Sequence, residues 1–337
     1  MAEDKGILSR TISLPRFPHA FMVVWMHVSF TVNTNGIQKL AIFEHGGYAY
    51  FRTCSIEYLA SISVPLFFFI SGFLFFYKTE WSKEAYFSKL RKRIKSLLVP
   101  YLFWIAAPLA FTALYQQLFL PESFDGLRIA DYSISDWLTS FGIQAPGSES
   151  KISCPFNGPL WFIRDLIVIT IISPVIYLGE ERFRKYNVIL MTLLEIIWLA
   201  TDGMVTNYSG PFCFSLGALF AIRKTDFVVF SFKYWKIFAP LFLACMIGYI
   251  VIMETGNYEI GFLLQKLGML FGIFTFIALA GLLVKKGAKI PEILTKSGLL
   301  IYVYHSIFSV MISQRKHFPN CHHGYAEDKT TNYKLAK

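Results

Sequence analysis

Long apolar runs broken by short polar connections set the pattern of this chain from residue 17 almost to its end. A bilayer core about 30 Å thick takes roughly 20 helical residues to cross. Runs near that length fall at 17–33, 56–77, 94–120, 160–178, 187–202, 207–222, 236–253, 261–284 and 297–313. They predict an all-α fold: a polytopic transmembrane helix bundle of about nine spans, filling residues 1–313 as one domain. Several later runs are short, which predicts helices that tilt against their neighbours or enter the bilayer only in part. Residues 314–337 are polar and without period, and read as a disordered tail. The first run ends in Ser29-Phe-Thr-Val-Asn33 rather than in a small-residue cleavage site, so it reads as a retained helix.

Composition agrees with lipid as the main solvent. Only 16% of the 337 residues are charged and 55% are hydrophobic, whereas soluble chains carry about 25% charged residues. Mean hydropathy is +0.48. A net charge of +10 would raise nucleic acid as a partner of a soluble chain, but here the basic residues sort by loop. One alternating set of loops holds Lys5, Arg10 and Arg16, then Lys78 to Lys95 with Arg91, Lys92 and Arg93, then Arg182 to Lys185, Arg223 to Lys236 and Lys285 to Lys296. The opposite set holds only Lys39, Arg52, Arg128 and Lys151 and is otherwise acidic or neutral. That asymmetry predicts a cell-membrane protein with a cytoplasmic N-terminus. The tail departs from it: with nine spans it would lie outside, yet it carries Arg315, Lys316, Lys329, Lys334 and Lys337.

The five cysteines (Cys54, Cys154, Cys213, Cys245, Cys321) show no metal-ligand spacing, and Cys321-His322-His323 lies in the tail, so no metal is expected. The loop between Pro121 and Pro159 is compatible both with a cap over an outward opening and with a passive surface connection.

Ionisable groups inside apolar spans cost something like 2.5 kcal/mol or more at mid-membrane, which makes them functional candidates. His27 sits eleven residues after Arg16, and eleven steps of about 100° return a helix to nearly the same face, about 16 Å further on. Arg16 then marks a cytoplasmic mouth and His27 a point about half-way across. The alternative is a core histidine bonded to a neighbouring helix. Arg91, Lys92 and Arg93 crowd the inner end of the third span, where lipid headgroups or the phosphates of a soluble ligand would each be bound. Ser71-Gly72 offers a hydroxyl or a close helix contact. Arg164-Asp165 reads as a self-neutralising pair, and Glu195, Lys266 and His305 are further intramembrane polar groups.

Five pieces, in this order, resemble the membrane acyltransferase-3 family, bacterial O-acyltransferases of cell-surface glycans. They are Arg16 with ten residues before His27; Val64-Pro-Leu-Phe-Phe-Phe-Ile-Ser71-Gly72; Arg91-Lys-Arg93 followed by Leu97-Leu-Val-Pro100-Tyr; Pro159-Leu-Trp161-Phe; and Ser297 through Tyr304-His305. The resemblance implies about ten spans and acyl-CoA, acetyl-CoA in the first instance, as cytoplasmic donor. It implies His27 as the reactive histidine and Arg16, Arg91 and Arg93 near the CoA phosphates. Ser71, Trp161 and His305 would line the same cavity, and the acceptor would be a glycan or lipid-linked sugar in the membrane. After His305 the family continues into a further span where this sequence has its polar tail, which suggests a truncated, inactive relic as one alternative. The other is a glycan-lipid transporter or flippase with His27 as a proton relay.

Overall fold

The structure is a computed structural model and describes residues 2–31, 50–51, 53–119, 128–143, 155–182, 184–186, 193, 196, 209–294, 297–298 and 300–304. Every regular element among them is helical. Nine helices carry the description: α1 (Ala2–Ser13), α2 (Arg16–Thr31), α3 (Thr53–Phe76), α4 (Lys83–Phe119), α5 (Ile134–Ser140), α6 (Trp161–Arg182), α7 (Ser209–Ile222), α8 (Phe227–Glu254) and α9 (Tyr258–Lys285). Of these α3, α4, α6, α8 and α9 are long and apolar enough to cross a membrane. The all-α membrane bundle is thus borne out. Most of the predicted span at 187–202, the end of the one at 297–313 and the tail lie outside the described residues.

The chain forms two compact units, Met1–Phe87 with Ile171–Ile301 and Ser88–Thr170 with Tyr302–Lys337. In the first, α3 is the core. It begins as a π-helical stretch, Thr53–Leu59, passes through the short 3-10 turn Ala60–Ile62 and is α-helical from Ser63 onward. Ile62, Leu66, Phe68 and Phe69 are fully buried. The α8–α9 hairpin turns at Gly256, whose φ of 77° suits glycine, and Asn257 caps α9 by accepting from Ile260 N–H. Tyr58 lies against Gly268, Ile62 against Gly272 and Phe69 against Phe274, so α3 and α9 run parallel. The outer face of α8 leaves Val229, Ile237, Leu243, Ile247 and Val251 exposed, as a lipid-facing helix would.

α7 packs on α3 through two glycines. A Cβ built on Gly72 would overlap the carbonyl oxygen of Phe214, and one built on Gly217 would overlap that of Phe69. Phe75 and Phe76 meet Phe214 near the start of α7, whereas Phe69 meets Phe220 near its end. The two helices are therefore antiparallel. Alternating the predicted spans would make 56–77 and 207–222 cross in the same sense, so the structure departs from that alternation here. The physical reason is length: the 14 residues of α7 reach about 21 Å, short of a full crossing, so this helix is free of the parity that the charge pattern imposes on complete spans.

Two helix starts also shift. α4 begins at Lys83, eleven residues before the predicted 94. α8 begins at Phe227, nine residues before the predicted 236, because the Asp226 carboxylate accepts from Val228 and Val229 N–H and caps the helix. Lys233 and Lys236 stay exposed along it, where long stems reach water without ending the helix. α1 has no counterpart among the predicted spans. Leu8, Thr11, Ile12 and Pro15 are buried at i, i+3, i+4 and i+7, and α1 lies along α9.

In the second unit residues 128–143, part of the connection between Pro121 and Pro159, are held by specific bonds. Ser133 and Asp136 form a capping box that starts α5. Tyr101 donates to the Phe141 carbonyl at 2.7 Å, and the Gln116 side chain accepts from Ile129 N–H at 3.0 Å. Arg164 and Asp165 do pair, at 2.8 Å, and Arg164 also donates to the Gly142 carbonyl at 3.1 Å. Their charges are spent on each other and on the turn above them. Tyr302 donates to the carbonyl of Pro159, which ties Tyr302 to the Pro159-Leu-Trp161 motif within the second unit.

Candidate active site

α2 carries the two residues at the centre of the resemblance. It opens at Arg16, immediately after Leu14-Pro15, and Pro18 is tolerated because first-turn amides have no partner inside a helix. The Arg16 side chain is half-buried, and its carbonyl faces Gly298 of the segment at 297–298. His27 lies in the fourth turn of α2 by its backbone, and its side chain is outside the described residues. His305 lies outside them altogether.

What fixes α2 against α3 is a residue the sequence reading passed over. His19 is 2% exposed, and its Nδ1 shares a 2.9 Å hydrogen bond with the Ser63 hydroxyl, itself fully buried. The imidazole stands edge-on to Phe67 and Phe276. The signal was present, since an ionisable group three residues into an apolar span meets the same criterion that singled out His27. α2 begins only three residues before His19, yet it also packs against Thr53–Leu59. Those contacts come from its later turns, so α2 and α3 are antiparallel.

The register follows. Ser71 lies eight residues past Ser63, about 12 Å toward the Arg16 end, and His27 lies eight residues past His19, about 12 Å the other way. Ser71 is half-buried. It belongs with Arg16 rather than with the His27 turn, and its neighbour Gly72 makes the close contact with α7. Glu57, Tyr249 and Gln265 come together near the far end of α3. Tyr249 O–H donates to the Glu57 carboxylate at 3.2 Å, and the Gln265 amide donates to the Glu57 carbonyl at 2.6 Å. Lys266, next to Gln265, is 2% exposed. Glu57 lies at the start of the predicted span 56–77 and was not singled out from the sequence.

The remaining candidates belong to the second unit. Arg91 is exposed and Arg93 half-buried near a π-helical turn, Ile94–Leu98, that interrupts α4; such turns recur at functional sites. Lys89 and Lys92 complete a dense patch of positive charge suited to phosphate. Trp161, half-buried, opens α6 beside Phe162. Among the described residues no group of three or more potential metal ligands comes together.

A family model described as an acyltransferase domain matches residues 16–320, beginning at Arg16 itself. The chain belongs to the acyltransferase-3 family. It is also similar to the succinoglycan biosynthesis protein ExoH of Rhizobium meliloti (strain 1021), at 23% identity over 260 residues. That alignment covers 75% of this chain and 64% of the relative, so the chain spans somewhat less than two thirds of the length of the curated protein it matches. No solved structure matches the fold. The family match takes in Arg16, His27, Ser71, Arg91, Arg93, Trp161 and His305 together, which neither compact unit holds alone.

Proposed function

We propose that this chain is a membrane O-acyltransferase that moves an acyl group, acetyl in the first instance, from cytoplasmic acyl-CoA to a hydroxyl of a cell-surface glycan or lipid-linked sugar. The observation that carries the reading is the family match running from Arg16 across the whole bundle. The succinoglycan context named for ExoH supports a glycan acceptor. The N-terminus lies in the cytoplasm, which sets Arg16 and the Arg91-Lys-Arg93 patch on the side where acyl-CoA is made.

In this reading His27 is the general base. One ring nitrogen takes the proton of the acceptor hydroxyl as its oxygen attacks the thioester carbonyl. The carbon–sulfur bond breaks, and the imidazolium returns the proton to the departing CoA thiolate. Arg16, Arg91 and Arg93 hold the CoA phosphates through charge-assisted bonds, and Ser71, Trp161 and His305 line the path of the acyl group. Membranes from cells expressing the chain, incubated with radiolabelled acetyl-CoA, are expected to place label in surface glycan. Arg93→Ala is expected to raise the KM for acetyl-CoA roughly tenfold, the loss of one charged hydrogen bond. Label incorporation no greater than in membranes lacking the chain would refute the reading.

A further inference from the structure

We propose that His19 is a positioning residue for donor binding: through its bond to Ser63 it holds the first turn of α2 so that Arg16 meets the phosphates of acyl-CoA. This rests on the reading of Arg16 as a phosphate-binding group at the cytoplasmic mouth.

The first support is how that turn is closed. The His19 backbone N–H donates to the Pro15 carbonyl at 3.0 Å, so His19 completes the stretch of backbone that contains Arg16. Its imidazole then bonds the Ser63 hydroxyl at 2.9 Å and stands edge-on to Phe67 of α3 and Phe276 of α9. One residue thus ties the Arg16 turn to two further helices, all within the first unit. On another side the turn meets Gly298, where an added Cβ would lie 3.6 Å from Ala20 Cβ and 4.0 Å from the Arg16 carbonyl oxygen. Pro15 and Pro18 fix two of its backbone angles, so the turn moves as a stiff piece. Arg16 carries the only fixed charge in it.

The second support is the change of exposure along α3. Ser63, Phe67 and Ser71 follow one another at four-residue steps and so lie along one side of that helix. Ser63 is fully buried, whereas Phe67 and Ser71 are half-buried, as Arg16 is. The joint between α2 and α3 is sealed at His19 and opens toward the Arg16 end. An arginine at the open end of a sealed joint is fixed at its root while part of its side chain stays accessible. That arrangement suits the planar fork of a guanidinium to phosphate oxygens, a contact that tolerates little misplacement. The rival role for His19 is to hold the bundle together and nothing more.

Kinetics of the full chain in membranes, at equal amounts of folded protein, separate the two roles. Ser63→Ala and His19→Phe are each expected to raise the KM for acetyl-CoA about fivefold, with kcat within about twofold. His19→Asn, whose side-chain amide keeps a partner for the Ser63 hydroxyl, is expected to recover most of that loss. In an Arg16→Ala chain, His19→Phe is expected to raise KM no further, because it acts through Arg16. A KM that stays at the unaltered value, or that rises by the same factor with and without Arg16, overturns the proposal. A second measurement needs no turnover. In a chain whose native cysteines are serines, Arg16→Cys is labelled with a water-soluble maleimide, and adding Ser63→Ala is expected to change the labelling rate at least threefold. An unchanged rate equally overturns the proposal, and this arm serves should His19→Phe fail to accumulate. A changed rate with no acyl transfer from any version removes the acyltransferase reading, and the donor-binding role with it, while His19 still sets the Arg16 turn.

Discussion

His27→Ala is expected to lower kcat for acyl transfer by about 100-fold to 10,000-fold, the range that a positioned general base supplies. The KM for acetyl-CoA should change little, because the groups assigned to the CoA phosphates, Arg16, Arg91 and Arg93, are left in place. The amount of folded protein should also hold. α2 is anchored two turns away by the His19–Ser63 bond and by the Phe67 and Phe276 rings, none of which the substitution touches. The split matters more than the loss. A fall in yield that matches the fall in rate would make His27 a packing residue, which is the alternative that residue type alone leaves open.

Gly72→Leu is expected to prevent the first unit from assembling, and Gly217→Leu to do the same from the other side. At both positions the obstacle is a backbone carbonyl of the facing helix, Phe214 or Phe69, and backbone cannot rotate aside as a side chain would. Even Gly72→Ala should cost about 1–3 kcal/mol, the usual range for overpacking, and leucine more. Small residues at such crossings let helices approach closely in membranes, where packing rather than the hydrophobic effect drives association. Gly158→Ala is the matched control, since nothing lies within 4 Å of a Cβ placed there. Fluorescence-detected size exclusion would read the result: an aggregated or absent peak for the two leucine variants and a normal one for Gly158→Ala. A normal peak for Gly72→Leu would contradict the α3–α7 packing.

How much of this was legible in the sequence depends on which physical signal carried it. The long spans were, because hydrocarbon selects their length and composition; α9 at Tyr258–Lys285 differs from the predicted 261–284 by at most three residues. The start of α8 was not, because hydropathy stops at Lys236 and Lys233 whereas the capping carboxylate of Asp226 does not. α1 escaped because a 12-residue amphipathic helix is no membrane span, although Leu8, Thr11 and Ile12 carried its period. The direction of α7 lay beyond the sequence, since a helix too short to cross the bilayer is outside the charge rule. Within the candidate site, Arg16 and His27 are proposed from their helical spacing, and the close helix contact at Gly72 was legible in its residue size. His19 met the stated criterion for intramembrane groups and was overlooked. Glu57 was hidden by its place near a span boundary, where an acid looks like loop; only the bonds from Tyr249 and Gln265 reveal it as part of the bundle.

The central claim is that acyl-CoA on the cytoplasmic side supplies a group that ends on a glycan hydroxyl. The measurement that tests it most directly uses sealed inside-out vesicles containing the chain, with acetyl-CoA labelled in the acetyl group supplied outside, on the face that was cytoplasmic. The glycan recovered from the vesicles is then assayed for ester-linked label, which mild base should release as acetate. The account predicts label in the glycan with the unaltered chain and none above background with His27→Ala. Glycan lipid crossing the vesicle membrane at the same rate with or without acetyl-CoA, and carrying no label, would contradict it and make the chain a transporter.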